Sequence, residues 1–554
     1  MLERRGGIQK RRIPKAKTGY NEDAYRTGKM GCKETLYRTE SVPNKRRKIG
    51  MITTEQIAAA LADRGLLLRI EEGQEKEVTY LTCDSRKVCQ GTMFVCKGAA
   101  FLPKYLSEAA KRGAGSYISE RSLPEGEGLT AIIVSDIRRA MAAAAACFFG
   151  YRAGTPKLTG ITGTKGKTTT AWYLKAMLDA WMTELGKPET GLLSTIRNYD
   201  GETWQDAVMT TPEPVELHEF LSRTEKNGLS HATMEVSSQA LKYGRVRELQ
   251  FQVGIFLNIS EDHISPREHE DFEDYFSSKL SIFRQCDTAC VNLDSDHMQR
   301  IVKAAYKAGR IVTFGRHRDA DLRYTDVRVK ENGTAFTVTC KDFTETFELA
   351  MKGRFNIENA MAAIAAAYVY GVPVQCMQRA LRATCVPGRM ETFASSDGKI
   401  CGIVDFAHNR LSFEKLFDAV FQEYGSCKKI ITVFGCPGGK ALNRRRELGL
   451  IAGLFSDYVM VTSDDPDTEC PETIAQEISR YVEMTGCACG FSAERKDAVC
   501  LAVKKAAQYR EKTMILLLGR GCEKYQKTAQ GLRAYPTDAA LMQEAIQMYE
   551  GVQI

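Results

Sequence analysis

The stretch "LTGITGTKGKTTTAWYL", residues 158–174, sets three glycines and two lysines ahead of threonines and then turns apolar. Such a turn lets backbone N–H groups converge on an anion where a helix begins. Gly166-Lys167-Thr168 satisfy the end of the pattern G-x-x-x-x-G-K-[ST], whereas Ile161 stands where its first glycine belongs. The pattern predicts a nucleotide-phosphate cradle in which Gly163 and Gly166 free the backbone, Lys167 neutralises charge and the Thr168 hydroxyl holds Mg²⁺. A second stretch, "TMEVSSQAL", puts Glu235 between apolar residues near the end of a buried-type strand. A carboxylate there must be paired, protonated or on a metal. A third, "NISEDHISPREHEDFEDYFSSKLSIF", crowds Asn258, Asp262, His263 and His269 into a strand-to-helix turn. Lys279 follows Phe276 by three residues and precedes Phe283 by four, so it points with the apolar face. Such a lysine either snorkels or keeps a desolvated, neutral amine that can react with CO₂. The carbamate so formed would be an anionic metal ligand. Spacing alone leaves both readings open.

The elements that must position these residues follow from periodicity. From Lys157 the order is strand, glycine loop and a helix over 168–180, with Ala171, Leu174, Met177 and Leu178 on one face. Further buried-type strands are expected at "HATMEVSS", "VGIFLNIS" and "IVTFG", and a β-hairpin around Glu331-Asn332-Gly333. The helix "NIENAMAAIAAAYVYG" is expected to take Asn356 as N-cap and Gly371 as its stop. "CVPGRME" (385–391) has the look of a hinge. Beyond it "ICGIVDFAH", "KIITVFG", "YVMVTSDDP" and "TMILLLGRG" alternate with helices, which predicts a second doubly wound sheet. Asp405 and His408, the glycine-rich "GCPGGKALNRRRELG" with Lys440 and Arg444 to Arg446, "SDDPD" (463–467) and "GRGCE" (519–523) all fall at strand ends of that sheet. Strand ends are where an α/β sheet binds its ligands.

The 554 residues predict several domains, α/β in class, with an ordinary composition of 44% hydrophobic and 26% charged residues. Residues 51–155 mix short strands and helices, 156–385 hold the glycine loop, and 386–554 form the last section. The net charge of +8 misleads, because residues 1–50 carry 15 Lys/Arg against 5 Asp/Glu while the rest is slightly acidic. That excludes a nucleic-acid footprint through the body; residues 1–50 read as a disordered leader or a start codon placed too early, the alternative being that "QKRRIPKAK" and "NKRRK" touch RNA or anionic lipid. Met51 would open a capped amphipathic helix, "MITTEQIAAALADRGLL". No apolar run reaches membrane-spanning length and no signal peptide is evident. Eighteen cysteines without a C-x-x-C pair fit reduced thiols in a cytoplasmic protein.

The succession "CDSRKV", "GTKGKTTT", "TTPEP", "MEVSSQAL", "NISEDH", "YFSSK", "GRFNIENAMAA", "VPGRME", "VDFAH", "SDDPD" and "GRGCEKYQ" resembles the Mur ligase family over about residues 51–554. The resemblance implies three domains: a UDP-sugar-binding domain, a central P-loop ATPase-like parallel sheet and a Rossmann-like domain for the amino acid. It implies an ATP-dependent amide ligase of peptidoglycan synthesis. ATP would phosphorylate the free carboxylate of UDP-MurNAc-L-Ala-D-Glu, and the amine of a free amino acid would displace phosphate. The residues from Gly163 through Thr164, Lys165, Gly166, Lys167 and Thr168 to Thr169 would bind ATP phosphates. Thr168 and Glu235 would ligate one Mg²⁺, while His263 and a carbamylated Lys279 would support a second. Asn356 and Asn359 would flank the adenine, with Arg389, Asp405 and His408 contacting nucleotide. Ser85 would touch the UDP-sugar; Thr210, Thr211, Ser237 and Arg245 the muramoyl peptide; Lys440, Asp464, Asp465, Asp467, Gly519 and Glu523 the amino acid. A monomer is implied.

Several positions depart from the family pattern. Lys165 replaces an asparagine, His269 is displaced, Tyr243 replaces a glutamine and Cys522 a histidine. Members that add diaminopimelate carry D-N-P-R, whose arginine grips the second carboxylate; Asp467 stands there instead, and Lys440 stands in place of a second arginine. An aspartate repels a carboxylate and welcomes an ammonium, which points to L-lysine or another diamino acid such as ornithine. Two other readings stay open: a paralogue acting on another carboxylate, and a silent relative that binds the precursor.

Overall fold

The computed structural model describes residues 52–552 except 74–75, 99–100, 263, 265–267 and 331–332. The leader, Met51 and His263 therefore lie outside the described residues. The first helix, α1 (Thr54–Ala62), starts on a capping box: the Thr53 hydroxyl accepts from Gln56 N–H while the Gln56 amide oxygen accepts from Thr53 N–H. Behind it stands a five-stranded sheet of β1 (Leu67–Glu71), β2 (Tyr80–Thr82), β3 (Thr92–Val95), β4 (Ala114–Ser119) and β5 (Thr130–Val134), ordered β1-β5-β4-β3-β2. Only β1 runs antiparallel to its neighbour. Helices α2 (Pro103–Lys111) and α3 (Ile137–Phe149) cover it, α3 capped by Asp136 and stopped by the left-handed Gly150.

The second sheet has eleven strands. Its parallel centre runs β7 (Gly191–Leu193), β10 (His231–Glu235), β6 (Lys157–Thr162), β11 (Phe251–Phe256), β12 (Cys286–Asn292), β13 (Arg310–Gly315) and β14 (Leu322–Lys330). The antiparallel β8 (Arg197–Tyr199) and β9 (Trp204–Asp206) close one edge; β15 (Gly333–Thr339) and β16 (Thr344–Leu349) close the other. Lys330 pairs with Gly333, as the expected hairpin requires. Strand β6 is central because Leu158 and Ile161 are apolar on both sides of Gly160, where a Cβ would come within 2.9 Å of the Phe251 ring. From β6 the chain passes through the glycine loop into α4 (Lys167–Glu184), with Ala171, Leu174, Met177 and Leu178 fully buried. The helix outlasts the expected end at Ala180 by one turn because Met182 keeps the buried stripe going. Helices α5 (Pro214–Lys226), α6 (Ser238–Lys242) and α7 (Phe272–Leu280) follow.

Helix α8 (Arg354–Tyr370) packs on α4 and is buried nearly all round, which its run of alanines permits. Gly371 stops it in the left-handed region as expected, but Gly353, not Asn356, is the N-cap. Asn356 sits inside the first turn, and its side-chain N–H₂ reaches back to the Lys352 carbonyl at 2.7 Å. Asparagine's habit of bonding nearby backbone misdirected the cap by one turn.

The third sheet runs β17 (Glu391–Ala394), β18 (Ile400–Asp405), β22 (Thr513–Leu518), β19 (Lys429–Phe434), β20 (Tyr458–Thr462) and β21 (Ala488–Ser492), parallel except for β17. Helices α9 (Arg410–Glu423) and α10 (Asn443–Phe455) flank it, and a short pair, β23 (Tyr525–Thr528) and β24 (Gly531–Ala534), follows β22. Asp405, Phe434, Thr462 and Leu518 end four adjacent parallel strands, so the loops bearing the acidic and glycine-rich motifs meet at one edge.

Candidate active site

The glycine loop is built around two close approaches. Gly163 has φ 155°, and a Cβ there would come within 2.8 Å of Leu257. Gly166, φ 89°, caps α4, and a Cβ would meet Asn359 Oδ1 at 2.1 Å. Asn359 and Asn356 are hydrogen-bonded to each other at 3.1 Å, so α8 presses an amide pair against the loop. Asn258 locks the loop from β11: its Oδ1 accepts from Lys165 N–H at 2.9 Å and its N–H₂ donates to the Lys165 carbonyl. Thr164 donates to the Ser260 carbonyl and shares a hydrogen bond with Tyr275. The side chain of Lys165 pairs with Asp262 at 3.1 Å, so the charge added at this position is met within the protein. Thr168 and Thr169 open α4, both buried.

Lys279 does not snorkel. It is 1% exposed, and its Nζ donates to the Gly163 carbonyl at 2.9 Å, the same oxygen that Lys167 Nζ reaches at 2.9 Å. Burial, with Lys167 close by, holds its amine well below the ordinary lysine range despite Asp262. Burial likewise lowers Lys167 and Lys165. Two lysines converging on one carbonyl is the environment in which an amine stays neutral and nucleophilic.

Glu235, 1% exposed at the end of β10, accepts from Thr168 Oγ1 at 3.0 Å, Thr195 N–H at 2.7 Å and Thr195 Oγ1 at 3.1 Å. It makes no ion pair among the described residues, and its side-chain partners are the two threonine hydroxyls. That hard-oxygen donor set fits Mg²⁺. Thr210 lies 3.2 Å from the Thr195 hydroxyl. Thr211 donates to the Glu235 carbonyl and accepts from Ser237 N–H, and Arg245 Nη1 donates to the Thr211 carbonyl at 3.2 Å. Glu213 then bridges Arg245 at 3.0 Å and Lys97 at 2.6 Å, tying this cluster to the five-stranded sheet. Ser85, beside that sheet, bonds Glu108 at 3.2 Å. His269 is fully buried between Asp274 and Ser238, each at 3.0 Å, a structural anchor for α7.

On the third sheet, Asp405 is fixed by Met390 and Ala407 N–H, and burial raises its carboxyl even beside Arg389. Arg389 lies over the Phe406 ring. The His408 ring meets the Phe406 carbonyl, and burial plus Lys165 and Arg444 push it down to about 3. Asn409 reaches across to Asp262 at 3.0 Å. Asp464, Asp465 and Glu523 bring carboxylate oxygens within 4.8 Å of one another, with Arg520 at 3.4, 2.7 and 3.8 Å respectively. Gly519 leaves room for Asp464, which a Cβ would approach to 3.3 Å. Burial and the two aspartates push Glu523 up to about 8.

One expectation is corrected here and another meets a competitor. Asp467, φ 55°, pairs with Lys527 Nζ at 2.6 Å, a half-exposed contact that an incoming ammonium would have to replace. Arg445 does not serve an anion loop: it is buried against Glu469 and Glu477. Helical phase turned it inward. Lys440 remains exposed at the loop tip. Sequence reasoning missed Thr195, Glu213, Asn409, Arg520 and Lys527. Arg520 had a signal, lying between two glycines at a strand end; Thr195 and Glu213 had none.

The sequence pattern of the Mur ligase middle domain matches residues 161–367, and that of the Mur ligase glutamate ligase domain matches 388–521. A UDP-N-acetylmuramyl-tripeptide synthetase of Lactobacillus acidophilus is 33% identical over 87% of this chain and 94% of its own. The chain belongs to the Mur ligase family. The UDP-N-acetylmuramoyl-L-alanyl-D-glutamate–L-lysine ligase of Enterococcus faecalis is 35% identical to this Mur ligase over 85% of the chain and 92% of its own. In fold, the Mur ligase is similar to a solved UDP-N-acetylmuramoyl-L-alanyl-D-glutamate–2,6-diaminopimelate ligase, with TM-score 0.61 and 22% identity over 90% of this chain and all of that one. As a family member it is an ATP-dependent ligase.

Proposed function

We propose that this Mur ligase joins L-lysine, or a diamino acid of similar length, to UDP-MurNAc-L-Ala-D-Glu in the cytoplasm, as a monomer, during peptidoglycan synthesis. The observation that carries the reading is the convergence of Lys167 and Lys279 on the Gly163 carbonyl, beside the Thr168–Glu235 pair. In this reading residues 51–155 hold the UDP-sugar at Ser85, 156–385 the ATP and 386–554 the amino acid. The loop N–H groups from Gly163 to Thr169 cradle the phosphates. Asn356 and Asn359 border the adenine, and Arg389, Asp405 and His408 contact nucleotide from the third sheet. Thr210, Thr211, Ser237 and Arg245 grip the peptide, so that the free carboxylate meets the γ-phosphate.

Thr168 and Glu235 would hold one Mg²⁺, and Lys279, carbamylated, a second with His263; bound there, the metal supplies charge neutralisation for phosphoryl transfer. The carboxylate oxygen takes the γ-phosphoryl group and ADP leaves. The amine nitrogen then attacks the acyl carbon, and phosphate departs with the former carboxylate oxygen. The residues orient and neutralise rather than bond. Asp464, Asp465 and Glu523, only partly balanced by Arg520, favour a diamino acid of net positive charge over one that carries a second carboxylate, with Lys440 and Gly519 as further amino-acid contacts. Purified protein with ATP, Mg²⁺ and the UDP-MurNAc-dipeptide should incorporate labelled lysine or ornithine with one phosphate released per bond, and discriminate against diaminopimelate. Incorporation of none of these would overturn the reading.

A further inference from the structure

Where α1 and β1 of the first sheet approach the turn after α6, Arg64, Leu66, Arg139, Arg247 and Glu248 line a half-open cavity of about 200 Å³. Three guanidinium groups meet one carboxylate. Glu248 is committed to Arg64, with Oε2 at 2.9 Å from Nε and 2.8 Å from Nη2. Among the described residues neither Arg139 nor Arg247 has a side-chain partner, and Arg139 Nε is shut off from solvent with no acceptor. The buried Arg139 donor without an acceptor is a costly arrangement that an anion relieves, and the exposed Arg247 adds a second cation at the same place.

We propose that this cavity is a binding site for a phosphate dianion, distinct from the nucleotide loop. Planar guanidinium forks match a tetrahedral oxyanion in bidentate fashion, and the volume admits one phosphate group with its water. Arg247 is exposed and gives the entry path, whereas half-buried Arg139 forms the floor and the Leu66 wall keeps the contact partly dry. None of the residues assigned above to nucleotide, metal, acceptor or amino acid lines it. The dianion is either inorganic phosphate or the terminal group of a phosphate monoester. Arg247 follows Arg245 by two residues on one turn, so occupancy would stiffen the segment that holds Thr211.

The test is calorimetric titration of the full chain with inorganic phosphate, with the nucleotide loop saturated by a non-hydrolysable ATP analogue and Mg²⁺. Phosphate should bind the wild type, and Arg139→Gln with Arg247→Gln should weaken it about tenfold or more. Arg139→Lys with Arg247→Lys, which keeps charge but loses the fork, should fall between. Unchanged affinity for the ATP analogue certifies that each variant is folded. A ribose or hexose monophosphate binding more tightly than phosphate would identify the ester as the natural occupant; equal or weaker binding would identify the free ion. No phosphate binding to the wild type, or the same affinity in the double Gln variant, overturns the proposal.

Discussion

Two titrating side chains carry most of the chemistry that this site can be asked to show. Glu523 is held at about 8 by burial and by Asp464 and Asp465, so at pH 7 it is mostly protonated before an amino acid arrives. A cationic ligand favours the ionised form. Binding of lysine at pH 7 should therefore release close to one proton, seen in calorimetry as a dependence on buffer ionisation heat, and the release should vanish by pH 9. Glu523→Gln should release none. The same raised value means the protonated carboxyl supports the fold below pH 4.5, and that contribution is lost as pH rises through about 8. Lys279 makes the complementary case. Burial and the nearby Lys167 hold its amine well below the ordinary lysine range and it faces the loop, so Lys279→Ala should abolish turnover while ATP-analogue affinity changes by less than about tenfold. Added bicarbonate should not restore it. Wild-type rates in Lys279→Ala would end the carbamate role.

At the scale of elements, the loop between β6 and α4 depends on one glycine. Gly166→Ala meets two penalties, a left-handed φ of 89° and a Cβ at 2.1 Å from Asn359 Oδ1. Together they should cost roughly 1–3 kcal/mol of stability. Adding Asn359→Ala should return only the steric part, a separation that denaturant midpoints can read. The third sheet offers a second element-level test. Cys401 on β18 accepts from the Cys427 thiol and lies near Lys512, which lowers it below the ordinary thiol range. Iodoacetamide at pH 7 should label it ahead of the exposed Cys385 and Cys470, and Cys427→Ser should slow the labelling. Much of this architecture was legible beforehand. The strands around Gly160, Glu235 and Asp405 announce themselves because apolar runs end in glycine, acidic or hydroxyl residues. Lys279's inward aim followed from its spacing against Phe276 and Phe283. What stayed hidden was pairing across sequence. Nothing local says that Lys527 neutralises Asp467, that Asp262 answers Lys165, or that Arg445 turns toward Glu469; such partners are chosen by the tertiary packing of distant segments.

Over the whole molecule, the proposed function would require an amino acid on the third sheet to reach an acyl group on the second, and the contacts between them would then set how often the assembly is productive. Two of them join polar side chains. Asn409, capping α9, donates to Asp262 beside the glycine loop, and Lys524, next to Glu523, pairs with Asp206 of β9 at 2.9 Å. Both partners of the second are half-exposed, so the pair is worth about 0.2–1 kcal/mol, a factor of up to roughly five in the closed population. Its position is what matters: the hairpin of β8 and β9 is braced by Trp204 stacked between Tyr199 and Trp172, so Asp206 is presented on a rigid arm. Lys524→Glu should raise the KM for the amino acid two- to fivefold and leave that for ATP unchanged. Asp206→Lys should do the same, and the double reversal should recover most of the loss, because the pair is restored with its signs exchanged. Screening supplies the control, since raising ionic strength from 0.05 to about 0.5 M shortens the Debye length below the reach of exposed charges and should shrink the coupling between the two sites toward zero. Strictly additive effects at low salt would mean that Lys524 and Asp206 meet without governing closure.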